Sequence, residues 1–252
     1  MPTTTIETVA GPMVIDQDEL QIGRFLDAEG KIPTHDDVIA FMKRHVKEGD
    51  SVIDVGANAG FFTLVLSQIV GKRGHVTAFE PNYEVFQHLE ESIVCREMNN
   101  IDAVLMAIGR EKGWADLRFD PRGPGGTQVV PPNPIDEWGI KGTVMVRTLD
   151  TAPYIRRPVS FIKIDTEGMD VDVLRGALHI LEDDRPVILF EWNPEAMSSL
   201  GKHPRREVAA LCDLLDEVGY VLCDYRTDEQ IFDWDVDQSG DYALMREDKV
   251  SV

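Results

Sequence analysis

The feature that most constrains this chain is residues 52–60, which read VIDVGANAG. An apolar run there breaks into closely spaced glycines, and residues 61–66 continue with apolar side chains at helical spacing. This pattern predicts a buried strand that turns sharply into a helix, as in nucleotide-binding α/β domains. Glycine at such a turn permits positive φ and close approach of a ligand to the backbone. The helix start also offers free N–H groups to an anionic part of that ligand.

The residues inside the turn exclude two common kinds of nucleotide-binding site. A dinucleotide site needs the pattern G-x-G-x-x-G, but Asn58 and Phe61 occupy its second and third glycine positions. A phosphate-binding P-loop is also excluded because no G-K-[ST] follows the turn. The pattern D-x-G-x-N-x-G suits a smaller anionic group, such as the carboxylate of a nucleoside that carries an amino acid.

An acidic residue follows the next predicted strand. Residues 75–79 are predicted to form that strand, which ends at Glu80, and Pro81 and Asn82 then begin a helix. An acid about twenty residues past the glycine turn is placed to bind both ribose hydroxyls. Together the turn and this acid predict S-adenosylmethionine (SAM) as the ligand. Phe61, Pro81, Asn82 and Asp165 are among its expected contacts. The alternative is that Glu80 only caps the helix.

Strands and helices alternate along the rest of the chain. We predict further strands over residues 102–108, 159–164, 186–190, 220–223 and 242–245, and helices around residues 173–181 and 208–218. This alternation predicts an α/β fold with a seven-stranded, mostly parallel sheet and helices on both faces. Met106 and Ala107, at the end of the third strand, are expected to border the adenine.

Two regions are predicted to lie outside this regular pattern. Residues 1–48 are interpreted as a helical leader that either closes over the cofactor or forms a packing layer, and residues 49–252 as the catalytic domain. Residues 120–142 contain five prolines and five glycines. A loop of this length in a compact domain is usually functional, so we expect a lid or a substrate wall.

Acidic residues lie at or near the ends of four predicted strands: Asp54, Glu80, Asp165 and Glu191. Because parallel strands bring their carboxyl ends to one edge, these carboxylates are expected to share a crevice. A cationic sulfonium there would offset their mutual repulsion.

Methyl transfer requires alignment of donor and acceptor and removal of the acceptor's proton. Asp165 is the first candidate for that role, Glu191 the second, and His203 a weaker candidate base. Alternatively, Asp165, Glu191 and Asn193 hold Mg²⁺, which would anchor a chelating substrate. A non-catalytic protein with a vestigial cofactor pocket is the remaining alternative.

Composition limits the partners and the compartment. The 252 residues include 25 basic and 45 acidic side chains, for a net charge of −20. Such a charge disfavours nucleic acid and anionic membranes as partners. The expected partner is instead a small-molecule acceptor, and the family resemblance implies that it is hydroxylated. Three cysteines at unrelated spacings fit a reducing cytoplasm. The sequence leaves the oligomeric state open.

Several segments in one order resemble the FkbM family of SAM-dependent methyltransferases. The resemblance covers roughly residues 35–225, and it depends on the motifs VIDVGANAG (52–60), FEP (79–81), TLD (148–150), IKIDTEG (162–168) and VLRGA (173–177). It implies a Rossmann-like class I methyltransferase fold and, most often, O-methylation of a secondary metabolite or sugar. By this likeness Asp54, Gly56, Asn58, Gly60 and Glu80 contact the cofactor, and Lys163, Asp165, Glu167 and Gly168 edge the active site.

Overall fold

The computed structural model describes residues 3–16, 35–118, 128–130 and 140–250. Its strands are β1 Thr3–Thr8, β2 Gly11–Asp16, β3 Ser51–Val55, β4 His75–Glu80, β5 Ile101–Leu105, β6 Ala107–Ile108, β7 Gly113–Arg118, β8 Gln128–Val130, β9 Ile140–Arg147, β10 Val159–Ile164, β11 Val187–Trp192, β12 Tyr220–Cys223 and β13 Gly240–Arg246. Its α-helices are α1 Asp36–His45, α2 Phe61–Val70, α3 Tyr83–Cys95, α4 Asp170–Arg175, α5 Leu178–Asp183, α6 Pro194–Ser199 and α7 Pro204–Val218.

The central sheet has seven strands in the order β12-β13-β11-β10-β3-β4-β5. Every neighbouring pair is parallel except the two pairs that involve β13. All six residues of β4 are buried, as expected for a strand covered on both faces. The predicted seven-stranded, mostly parallel sheet is therefore confirmed. Its geometry brings the carboxyl ends of β3, β4, β10 and β11 to one edge.

Helices cover both faces of this sheet, as predicted. One face packs against α4, α5 and α7 through a buried apolar cluster that includes Leu174, Leu181 and Leu211. The other face packs against α1 and α2 through a second cluster that includes Phe41 and Leu64. Burial of these apolar side chains supplies the main favourable free energy of folding. The same packing holds the helices against the sheet.

The third predicted strand is shorter than expected. Residues 102–108 were predicted as one strand, but β5 leaves the central sheet after Leu105 and β6 joins a different, four-stranded sheet of order β6-β9-β7-β8. The backbone changes sheets at Met106, whose N–H donates to the Glu80 carbonyl at 3.2 Å. The sequence pattern does not reveal this change because both segments are apolar.

The helix predicted around residues 173–181 is two helices, α4 and α5. A Cβ at Gly176 would lie 2.2 Å from the Gly109 carbonyl oxygen, so only glycine permits this close backbone approach. The Asp150 carboxylate then accepts hydrogen bonds from the N–H groups of His179 and Ile180, which open α5. A tertiary contact therefore breaks a helix whose apolar spacing is continuous.

The predicted leader is helical only in part. Within the described residues of 1–48, α1 is the predicted helix, but β1 and β2 form an antiparallel hairpin. A helical leader is therefore wrong for residues 3–16, where threonine and β-branched residues favour strands. The division between residues 1–48 and 49–252 stays a prediction.

The predicted loop over residues 120–142 lies mostly outside the described residues. Its described parts, 128–130 and 140–142, belong to β8 and β9, so they pair in the four-stranded sheet. A second sheet was not predicted. Among the described residues, no helix combines the length and the apolar character needed to cross a bilayer.

Candidate active site at the carboxyl edge of the sheet

The glycine turn after β3 has the predicted sharp geometry. Gly56 has φ 78° and Gly60 has φ 96°, values that favour glycine. A Cβ on Gly56 would lie 1.8 Å from the Asp165 carbonyl oxygen, and a Cβ on Gly60 would lie 2.5 Å from Leu89 Cδ1. Asn58 also has positive φ, at 53°. At Gly56 and Gly60 the backbone of the turn therefore packs directly against the end of β10 and against α3.

Glu80 connects this turn to the end of β4. Its Oε2 accepts the Asn58 N–H at 2.9 Å, and its Oε1 accepts the Asn82 N–H at 2.8 Å. The residue is 6% exposed. The pKa of Glu80 is raised to about 7. Burial is the main cause, the nearby Asp54 and Asp165 charges act in the same direction, and the two N–H bonds oppose it.

The cap of α3 is supplied by Asn82. Its Oδ1 accepts the Glu84 N–H at 3.1 Å, and the side chain is buried. Asn82 is therefore the helix cap at this position, and Glu80 contacts the start of the helix through its bond from the Asn82 N–H.

Asp54 lies beneath the turn and is completely buried. Its Oδ2 accepts the Thr63 hydroxyl at 2.6 Å, and its Oδ1 has no hydrogen-bond partner among the described residues. Burial raises the pKa of Asp54, an effect that Lys163 opposes. An orphaned buried carboxylate oxygen beside the turn is costly, and it is a feature that a bound polar group would relieve.

The remaining predicted cofactor residues lie around the same edge. Met106 and Ala107 are buried, at the point where the chain leaves the central sheet. A cavity of about 320 Å³ lies between the two sheets, and Pro81, Asn82, Leu105 and Met145 are among the residues that line it.

Phe61 is the first residue of α2, and its ring packs against two neighbouring rings. Its centroid is 5.1 Å from that of Phe62 and 5.3 Å from that of His35. The three rings form an aromatic wall beside the turn, with ring separations in the favourable range.

Lys163 and Asp165 form an ion pair at the end of β10, with Nζ 3.0 Å from Oδ2. The Nζ also lies 4.8 Å from the Phe62 ring centroid. Lys163 is buried. Burial by itself would lower the pKa of Lys163, but the Asp165 and Asp54 carboxylates outweigh it and raise this pKa above its ordinary value. The lysine is therefore a fixed cation in the crevice.

Asp165 also belongs to a group of three carboxylates. One oxygen from each of Asp165, Glu167 and Glu191 lies within 4.8 Å of the others. Burial and the charges of Asp165 and Glu167 raise the pKa of Glu191 to about 9, so this carboxyl is protonated at neutral pH. The Glu191 Oε2 is buried and has no hydrogen-bond partner among the described residues.

Two predicted residues are placed apart from these carboxylates. Asn193 caps α6, where its Oδ1 accepts the Ala196 N–H at 3.0 Å, so Glu167 takes the place expected for Asn193 in the carboxylate group. His203 is exposed at the start of α7, and no described hydrogen bond or ion pair joins it to Asp165 or Glu191.

Similarity to known proteins decides the family. Residues 54–222, more than half of the chain, match the Methyltransferase FkbM domain. The chain belongs to the FkbM methyltransferase family. With its class I fold, it is a SAM-dependent methyltransferase.

Named relatives of this FkbM methyltransferase include two curated proteins. Methyltransferase 1 of Beauveria bassiana is 24% identical over 196 residues, which cover 70% of this chain and 74% of that protein. The hexuronic acid methyltransferase AglP of Haloferax volcanii is 24% identical over 174 residues, which cover 67% of this chain and 65% of that protein.

A solved structure has the same fold. The FkbM methyltransferase of Methylobacillus flagellatus aligns with a TM-score of 0.50 and 17% identity, covering 77% of this chain and 43% of that chain. At this identity the likeness supports the fold alone.

This FkbM methyltransferase also places residues near the crevice that sequence reasoning missed. His35 precedes α1 with φ 48°, and its ring lies 5.3 Å from those of Phe61 and Phe62. Burial lowers the pKa of His35, while Asp37 raises it. An isolated histidine carries no motif, so only the packing of α1 against α2 reveals it.

Gln128 is the second residue that sequence reasoning missed. Its Nε2 donates to the Ser199 hydroxyl at 2.8 Å and lies 3.5 Å from the Glu167 carbonyl oxygen. Strand β8 therefore borders the carboxylate side of the crevice. The surrounding residues are rich in proline and glycine, a composition that predicts a loop and not the strand β8.

Proposed function

We propose that this enzyme transfers the methyl group of SAM to a hydroxyl oxygen of a small metabolite, sugar or natural product. The observation that carries the proposal is the Lys163–Asp165 pair, which stands at the carboxyl edge next to the glycine turn and Glu80. The turn that we expect to bind the cofactor therefore lies in the same crevice as the carboxylate that we expect to accept the proton.

The residues of the turn fit the cofactor. Gly56, Asn58 and Gly60 leave bare backbone for the methionine part, and Glu80 offers carboxylate oxygens to the two ribose hydroxyls. The buried, orphaned oxygen of Asp54 and the raised pKa of Glu80 are features that polar and cationic groups of a ligand would offset. When bound, SAM supplies a methyl group already activated by the sulfonium.

Asp165 is the group we propose to accept the hydroxyl proton. The acceptor oxygen forms a bond to the methyl carbon as the carbon–sulfur bond breaks, and the proton passes to the carboxylate. Lys163 holds Asp165 in place through the 3.0 Å contact and supplies a positive charge beside the oxygen that loses its proton.

Glu191 has a different proposed role. With a pKa of about 9, its carboxyl is protonated at neutral pH and can donate a hydrogen bond. We therefore propose that Glu191 positions the acceptor, while Asp165 acts as the base. His203 remains the weakest of the three proposed catalytic residues because it is exposed.

The acceptor class is supported by one relative. A hexuronic acid methyltransferase is among the similar proteins, which favours a sugar or sugar acid. The segment 120–142 is proposed as part of the acceptor wall, since Gln128 lies beside the Glu167 backbone.

Labelled methyl transfer tests this function. Radiolabelled SAM would be incubated with a panel of hexuronic acids, neutral glycosides and hydroxylated aromatic compounds. Asp165→Asn is expected to lower kcat by about 100-fold or more because general base catalysis contributes that much, with little change in the Kd for SAM. The exposed Asp213→Asn on α7 is the matched control. Full activity of Asp165→Asn would remove the proposed base, and SAM binding without transfer to any acceptor would favour the non-catalytic alternative.

A metal-assisted reaction is the second candidate, favoured by the grouping of Asp165, Glu167 and Glu191 within 4.8 Å. Three carboxylates are hard oxygen ligands suited to Mg²⁺, and a cation would lower the pKa of Glu191. If this candidate is correct, exhaustive chelation abolishes transfer and Mg²⁺ restores it. Undiminished activity after chelation would eliminate it.

A further inference from the structure

A second groove lies at the amino ends of β3, β4, β10 and β11, on the edge of the sheet opposite the active-site crevice. Its cavity has a volume of about 560 Å³, within the range of small-molecule sites. Six lining residues carry a permanent positive charge: Arg44, Arg73, Arg156, Arg157, Arg185 and Lys249. Two lining carboxylates, Asp50 and Asp184, oppose them.

This concentration of positive charge is unusual for the composition. The whole chain has only 25 basic residues against 45 acidic ones, so the groove has the opposite sign to the molecule. A cleft with an excess of one sign of charge attracts counter-ions of the other sign.

Half of these cations already have carboxylate partners. Arg157 binds Asp184 at 2.7 Å, Arg44 binds Asp228 at 3.0 Å, and the exposed Arg73 binds Glu48 at 3.2 Å. These three cations are therefore partly neutralised by their carboxylate partners.

The other three cations have no carboxylate within ion-pair distance among the described residues. Arg156 and Arg185 are exposed, and the Lys249 ammonium donates only to the Arg185 carbonyl at 3.2 Å. Their charges are therefore free to bind a ligand.

A buried polar group also lines this groove. The His75 side chain is 4% exposed, and its Nε2 lies 3.0 Å from Asp102 Oδ2. Its Nδ1 is buried and has no hydrogen-bond partner among the described residues. The groove therefore includes a buried imidazole as well as the exposed cations, and its ring can report on a ligand bound there.

We propose that this groove is a binding site for a small molecule that carries phosphate groups, of the size of a nucleoside diphosphate. The guanidinium fork matches phosphate oxygens in a bidentate manner, and the groove offers several such forks with one ammonium. The site is separate from the SAM crevice, so this proposal does not depend on the proposed methyl acceptor.

Calorimetric titration with inorganic pyrophosphate and with ADP, at about 0.15 M salt where surface charges are well screened, tests the site. The wild-type enzyme is expected to bind with saturation. Arg156→Glu and Lys249→Glu should each weaken binding at least about tenfold, since hydrogen bonds to charged groups are worth that much. Arg110→Glu, an exposed residue after β6, has the same charge change away from the groove and should bind like the wild type.

A second measurement locates the ligand. Pyrophosphate should shift the NMR signals of the His75 ring in the wild-type enzyme, and the binding of SAM should be unchanged in both variants. Absence of saturable binding, or equal weakening in Arg110→Glu, would overturn the proposal. Binding of single-stranded RNA without binding of pyrophosphate would also overturn it, in favour of a nucleic-acid surface.

Discussion

Lys163 balances the charge of the crevice. Its ammonium contacts Asp165 and acts on the fully buried Asp54. Removing one member of a buried ion pair leaves an uncompensated charge, which costs more than the pair itself contributes. A single side chain therefore determines whether two of the strand-end carboxylates are tolerated.

Lys163→Met is expected to lower the free energy of unfolding by about 2 to 3 kcal/mol at pH 7, measured by urea denaturation. This is below the ~3–5 kcal/mol for a fully buried pair, because the Asp165 side chain is 39% exposed and partly solvated. The exposed Lys112→Met should stay within about 0.5 kcal/mol of the wild type. Equal stability of the two variants would show that Lys163 does not balance these carboxylates.

Individual residues were predictable where they end a strand. Glu80, Asp165 and Glu191 were predicted from the sequence because an acid after an apolar run is a local pattern, and the structure brings them to one edge. Their roles as cofactor or catalytic residues remain predictions. Glu167 was expected at the active-site edge only from the resemblance to the FkbM family, whereas His35 joins the same region through tertiary packing, which single-sequence spacing does not encode.

At the level of elements, the strand–turn–helix unit of β3 and α2 depends on one close backbone approach. Gly56 faces the Asp165 carbonyl, where a Cβ would lie at 1.8 Å. The backbone of the turn therefore packs directly against the end of the strand that precedes the proposed base.

Gly56→Ala is expected to destabilise the protein by about 2 to 5 kcal/mol, because overpacking costs about 1–3 kcal/mol and positive φ costs about 1–2 kcal/mol more for alanine. The same change should weaken SAM binding. Thermal and urea denaturation measure the first effect, and calorimetry the second. Gly113→Ala, where a Cβ meets no atom within 4 Å, is the control; similar stability of both variants would contradict the packing argument.

Elements were predictable where local signals agree with tertiary structure. The strand over residues 159–164 and the helix α7, which ends at Gly219 with φ 69°, match the sequence predictions. The split of residues 173–181 into α4 and α5 was not predictable, because Gly176 is required by a contact with the distant Gly109. The hairpin β1–β2 and the four-stranded sheet were missed. Strand β8 and the start of β9 lie in the proline- and glycine-rich residues 120–142, whose composition predicts a loop.

For the whole molecule, the two edges of one sheet carry opposite charge. The carboxyl edge gathers Asp54, Glu80, Asp165 and Glu191, whereas the charged residues that line the amino edge are mainly arginine and lysine. Net charge alone predicted an acidic molecule and gave no sign of the basic groove, since its residues are far apart in sequence. The acidic edge fits a cationic cofactor, which is the central claim for this enzyme.

Calorimetric titration with SAM at pH 6 and pH 8 tests that claim most directly. Because burial raises the pKa of Glu80 to about 7, the carboxylate is mostly protonated at pH 6 and ionised at pH 8, and only the ionised form offers all its oxygen lone pairs to ribose. We expect wild-type affinity to rise between these pH values. Glu80→Gln should bind at least about tenfold more weakly with a flatter pH dependence, while the exposed Glu90→Gln on α3 behaves like the wild type. Undiminished binding of SAM by Glu80→Gln would contradict the account.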